Sequence, residues 1–143
     1  MAHHPARMSA PTSPLPTRHA LLAVALGGAA GGLVRTVLAH GYDPGSGWPW
    51  VTFAVNVAGA LLLGYVVTRH HERSPLPAYR RPLIGNGFCG ALTTFSTLQL
   101  ELLEMIDDQR FGLAIGYAAA TVAAGLAGVH LATVATRRLA DVP

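Results

Sequence analysis

The sequence predicts an all-α membrane protein built on four transmembrane helices. Of its 143 residues, 51% are hydrophobic and only 12% are charged, about half the ~25% charge of a soluble domain. The apolar residues gather into four long blocks, and the runs between them are short and rich in Gly, Pro and Arg, the pattern of spans joined by loops. Four spans nearly exhaust the chain. No length remains for an extramembranous catalytic domain, a nucleotide-binding fold or a large partner-binding module, so any function lies among the helices.

Met1 to Thr17 carries Pro5, Pro11, Pro14 and Pro16 without an apolar core, and is expected to be a disordered tail rather than a signal peptide. Its His3-His4 pair offers too few pre-placed ligands for a metal. The membrane domain is expected over 18–138, followed by a short tail over 139–143. The first block runs from Ala20 to Ala39; at about 1.5 Å per residue it reaches ~30 Å, the thickness of a hydrocarbon core. His40 to Pro49 is a Gly/Pro-rich loop, and Trp48 and Trp50 suit the membrane interface. Trp50 to Thr68 forms the second block, and Arg69 to Pro82 a polar connection that cannot enter lipid. Leu83 to Ile106 is the third. Asp107 to Phe111 is a tight polar turn, and Gly112 to Thr136 completes the set before Arg137-Arg138.

Four spans put both termini and the 69–82 loop on one side. That side holds Arg7, Arg18, Arg69, Arg73, Arg80, Arg81, Arg137 and Arg138, eight against the single Arg110 opposite. The positive-inside rule then places both termini in the cytoplasm of a cell (inner) membrane protein. All ten basic residues are arginines in loops, tails or, for Arg35, the first span. Without a basic face interleaved with aromatics, they do not describe a nucleic-acid surface. A single cysteine, Cys89, excludes an internal disulfide and any CxxC motif.

Four features carry chemistry. Gly27, Gly28, Gly31 and Gly32 give the first helix a face that another backbone can approach. Arg35, about one turn from the His40 end, either snorkels to the interface or attracts an anion in a water-filled vestibule. The first span has no acidic residue, which argues against a proton-coupled exporter. Asn56, near the middle of the second span, needs a partner inside the bilayer, either a neighbouring helix or a permeating ligand.

In the third block, Gly87-Phe88-Cys89-Gly90-Ala91-Leu92-Thr93-Thr94-Phe95-Ser96-Thr97 combines flexible backbone with four hydroxyls. Non-helical backbone at that depth is tolerated only where it is buried in protein or lines a cavity. Freed carbonyls can hold a cation, and hydroxyls and N–H groups can donate to an anion. Glu104 is expected at the water boundary with Asp107 and Asp108, and Glu101 as an acceptor for a neighbouring helix. A hydrolytic dyad of Ser96 and His130 lacks both an elbow motif and a positioned acid.

These strings resemble the Fluc/CrcB family of fluoride channels: GGAAGGLVR (Gly27 to Arg35), TFAVNVAGALLLG (Thr52 to Gly64) and, most specific, GFCGALTTFST (Gly87 to Thr97) followed by Glu101. The resemblance covers all four spans. It implies an antiparallel dimer with two pores, a broken third helix, and a structural Na+ at the dimer interface held by the backbone carbonyls of Gly90 and Thr93. It makes Asn56, Phe95, Ser96, Thr97, Tyr117 and Thr121 pore-lining, and Arg35 the vestibule arginine. The implied function is passive export of fluoride that enters as neutral HF and ionises in the cytosol, with no enzymatic activity. The alternative is a non-conducting partner in a heterodimeric channel. Two positions depart from the family pattern: Leu98 stands for a second phenylalanine, and Gly125 for a serine. The arginine bias further implies one-way insertion, hence a dimer with an oppositely oriented homologous chain.

Overall fold

The structure is a computed structural model that describes residues 17–42, 47–72 and 78–139, with main chain only over 70–72. Expectations for the N-terminal tail up to residue 16, for Arg73 and for residues 140–143 lie outside the described residues. The bundle is all-α. Helix α1 spans Thr17–Ala39 and α2 spans Trp50–Glu72; α3 winds as a π-helix over Arg81–Cys89 and closes with an α-helical turn, Gly90–Leu92; α4 spans Phe95–Asp107 and α5 spans Phe111–Arg138. The helices overrun the apolar blocks. Thr17 begins α1, α2 continues four residues past Thr68, and α5 reaches Arg138, because a helix can leave the bilayer and persist in water until a breaker stops it.

Among the described residues, three helices are each long and apolar enough to cross a membrane: Thr17–Ala39, Trp50–Arg69 within α2, and Phe111–Arg138. The third sequence block is instead two half-length helices joined by an extended link at Thr93 and Thr94. The outer face of α1 exposes Leu21, Leu22, Leu26, Leu33 and Val37, as lipid contact allows and water does not.

Packing runs pairwise. Helix α1 lies mainly on α3, α2 on α5, and α4 on α5. Small residues set the first two contacts, since lipid supplies no hydrophobic drive between spans and close backbone approach must provide the attraction. A Cβ on Gly27 would collide with the Leu83 carbonyl, and one on Gly31 with the Phe88 carbonyl; from the other side, a Cβ on Gly87 would stand 2.6 Å from the Val24 carbonyl. Between α2 and α5, a Cβ on Gly64 would lie 2.9 Å from the Val129 carbonyl, and Thr68 Oγ1 donates to Thr133 Oγ1 at 3.2 Å. The α4–α5 contact is a side-chain core of Leu98, Met105, Ala114 and Tyr117, flanked by Trp48 and Phe53.

Only alternate members of the four-glycine run meet α3. A Cβ on Gly28 would just touch the Gly87 carbonyl at 4.0 Å, and one on Gly32 would meet nothing within 4 Å. Overpacking a tight contact costs typically ~1–3 kcal/mol. Gly31→Ala is therefore expected to lower thermal stability in detergent by about that much, while Gly32→Ala, gaining helix propensity, leaves the midpoint unchanged or higher.

Candidate functional site

The site is built around the break. Thr93 adopts φ −74°, ψ 151° and Thr94 φ −145°, ψ 123°, so two successive residues are extended. In a continuous helix the Thr94 N–H would bond the Gly90 carbonyl. Here it donates to Asn56 Oδ1 at 2.8 Å, while Asn56 Nδ2 donates back to the Thr94 carbonyl at 3.1 Å. The side-chain amide of α2 thus serves the main chain as a second strand would. On the other side of the link, Arg35 Nε of α1 donates to the Ala91 carbonyl at 3.0 Å.

Local hydroxyls complete the turn. Thr93 Oγ1 donates to the Cys89 carbonyl at 2.9 Å, alongside the Thr93 N–H at 3.0 Å. Thr94 caps α4: its Oγ1 accepts the Thr97 N–H at 3.2 Å and donates to Thr97 Oγ1 at 2.9 Å, with Ser96 Oγ 3.3 Å away. Such a cap replaces one of the N–H partners that a helix start lacks. A methyl of Thr93 occupies the space where a side chain on Gly59 would sit.

A groove of about 510 Å³ opens beside the break, lined among others by Asn56, Asn86, Gly90, Thr93, Val122 and Gly125. Gly90 is exposed there, and a Cβ on it would meet nothing within 4 Å. Phe95 is 71% exposed, Ser96 is exposed and Thr97 is half-buried. The structure therefore brings Asn56, Gly90, Thr93, Phe95, Ser96 and Thr97 to one region around the break.

Tyr117 and Thr121 are buried within the α5 packing instead. Tyr117 is wholly buried, its ring edge-on to Trp48 at 5.2 Å, and Thr121 Oγ1 donates to the Tyr117 carbonyl at 2.8 Å. The Tyr117 hydroxyl reaches Glu101 Oε2 at 2.6 Å, while Thr52 Oγ1 donates to Glu101 Oε1 at 2.5 Å. Glu101 thus joins α2, α4 and α5 as the acceptor the sequence led one to expect. Leu98 is buried at 7% exposure in the same core, whereas Gly125 sits on the groove wall. Among the described residues, no group of three or more His, Cys, Asp or Glu side chains could hold a metal.

Sequence reasoning missed the part played by Thr94 and Thr52. For Thr94 the signal was present, a hydroxyl three residues before Thr97 at the head of an apolar helix, which is a capping arrangement. For Thr52 it was not, because its partner lies 49 positions away.

The profile of the family described as CrcB-like protein, Camphor Resistance (CrcB), matches residues 22–133. The fluoride-specific ion channel FluC 1 of Mycolicibacterium paratuberculosis is 56% identical over 122 residues, covering 83% of this chain and 91% of the relative. FluC 1 of Mycobacterium tuberculosis is 52% identical over 120 residues, with the same coverage of 83% and 91%. FluC 2 of Nocardia farcinica is 40% identical over 132 residues, covering 91% and 94%. By the extent of the profile match and of these identities, the chain belongs to the CrcB-like family.

Proposed function

We propose that this chain is a subunit of a fluoride-selective channel that lets cytoplasmic fluoride leave down its electrochemical gradient. The observation that carries the reading is the extended Thr93–Thr94 link inside a membrane-spanning bundle, with an amide and several hydroxyls gathered around it. Fluoride is small and strongly hydrated, so a selective path must replace its water with closely spaced donors. Two of the four hydrogen-bonding positions of Asn56 are used by Thr94, which leaves one N–H for a passing anion. Ser96 and Thr97 add hydroxyls, and the Phe95 ring can present its positive edge. The identity to relatives named as fluoride-specific ion channels supports the choice of anion. The chain is a channel subunit, not an enzyme.

A single chain leaves Phe95, Ser96 and the groove uncovered at membrane depth. A second subunit packed against this face would close a path between the two, which supports a dimer; its antiparallel sense rests on the family resemblance. The Gly90 carbonyl has lost its helical partner to the break, and with the Thr93 carbonyl it fits a structural Na+ at that interface. Such an ion would neutralise the carbonyl dipoles that two breaks bring together. The arginine bias supports both termini in the cytoplasm of the cell membrane and a partner that is a homologous chain of opposite orientation. Tyr117 and Thr121 would join the path only after the dimer or a side-chain rotation opens the α4–α5 contact.

In liposomes loaded with fluoride and read by electrode, Phe95→Ile is expected to slow efflux about tenfold with the dimer intact, since it removes a ring edge and keeps apolar volume. Asn56→Asp should block efflux, because a negative charge at this half-buried position repels the anion. Wild-type rates in both variants would remove these residues from the path.

Orientation has its own test. Cysteines introduced singly at each terminus and probed with an impermeant thiol reagent should react from the cytoplasmic side alone. Comparable labelling from both faces would exclude one-way insertion.

A further inference from the structure

We infer that Arg35 is a positioning residue of the broken helix, acting through its Nε–H rather than through its charge on the anion. The inference rests on the fluoride-channel reading and deepens it. Arg35 donates from Nε to the Ala91 carbonyl at 3.0 Å in a half-buried setting. Ala91 is the middle residue of the last helical turn before the link. In a continuous helix its carbonyl would take the Phe95 N–H, and the extended Thr93 and Thr94 carry that donor away. The last carbonyls of a helical segment have no intrahelical donor, so the Nε–H there satisfies an orphan acceptor.

The chain route to this contact is short. One turn before Arg35, Gly31 lets α1 lie against the Phe88 carbonyl and the Leu92 main chain, which sets the reach of the side chain to Ala91. Asn56 holds the far side of the same link from α2. The two neighbours therefore grip the break from opposite sides, and the position of Thr93 and Thr94 depends on both. An arginine whose Nε–H is committed to a main-chain carbonyl differs from one that projects freely into a water-filled mouth.

The atom that donates makes the two roles separable. Nε is the fourth side-chain atom beyond Cα, and the Nε2 of glutamine stands at the same place, without charge. Lysine has a methylene there and carries its ammonium one atom further out. Arg35→Gln and Arg35→Lys are compared in the full-length assembled channel by hydrogen–deuterium exchange over residues 90–95 and by fluoride efflux from liposomes.

Positioning predicts that Arg35→Gln keeps wild-type protection and efflux within about threefold, while Arg35→Lys loses protection and slows efflux about tenfold, the effect of one lost hydrogen bond. Efflux and protection retained by Lys and lost by Gln would overturn it in favour of charge. Loss of efflux in both variants overturns it too, whether exchange over 90–95 is unchanged, which removes Arg35 from the break, or raised in both, which assigns the hold to the whole guanidinium. Two wild-type-like variants overturn it as well. A wild-type channel that passes no fluoride would instead defeat the fluoride reading, and the exchange result would still decide the role of Arg35.

Discussion

Interrupting a helix inside lipid frees main-chain groups that the hydrocarbon cannot satisfy, each at a cost of several kcal/mol, roughly. The remainder of this bundle is arranged around that debt at Thr93 and Thr94. Asn56 takes one N–H and one carbonyl, Arg35 takes the Ala91 carbonyl, and the Thr94 hydroxyl caps the helix that restarts. These three groups come from α2, α1 and the link itself. The break consequently stands only while both neighbouring helices are seated, which ties a local irregularity to the global packing.

That dependence explains the uneven distribution of glycine. Arg35 and Asn56 are short of reach unless α1 and α2 lie close to α3, and side chains at Gly27, Gly31 or Gly59 would hold them off. Glycine is unfavourable within a helix by about 1 kcal/mol relative to alanine, so each of these positions gives up helix propensity for proximity. The α4 half is held differently. Its contact with α5 uses bulky Leu98, Met105 and Tyr117, and the carboxylate of Glu101 fixes the rotation of α4 through hydroxyls of two other helices.

Much of the architecture was legible because it follows from composition and depth. Four apolar blocks, the arginine bias and the glycine- and hydroxyl-rich third block depend on one-dimensional patterns. The broken helix itself was readable from Gly87 to Thr97, whose residues suit no lipid-facing span. What escaped is set in three dimensions. The π-winding of Arg81–Cys89 has no periodic signature. Asn56 was open between packing and ligand. The structure gives two of its bonds to the main chain of the link, the packing alternative, and leaves it lining the groove. Leu98 is three residues beyond Phe95, yet Phe95 is exposed and Leu98 lies in the α4–α5 core. Three helical residues leave the two side chains only about 60° apart, so the difference is one of height: Phe95 is the first residue of α4 and lies beyond the core that begins at Leu98.

The burial of Leu98 changes what the two departures from the family pattern mean for the groove. A leucine at a constriction would lack the ring edge that faces an anion, but Leu98 packs against Tyr117 and meets the core rather than the groove. Its apolar bulk is what that position requires. Gly125 is the departure that reaches the groove wall, where it removes a hydroxyl without adding volume. The polar lining on the α5 side of the groove is thereby thinner than on the side of Asn56 and Thr93. Between two subunits of different sequence such thinning is tolerable, because the facing chain can supply the missing donors; between two copies of this chain it would occur on both.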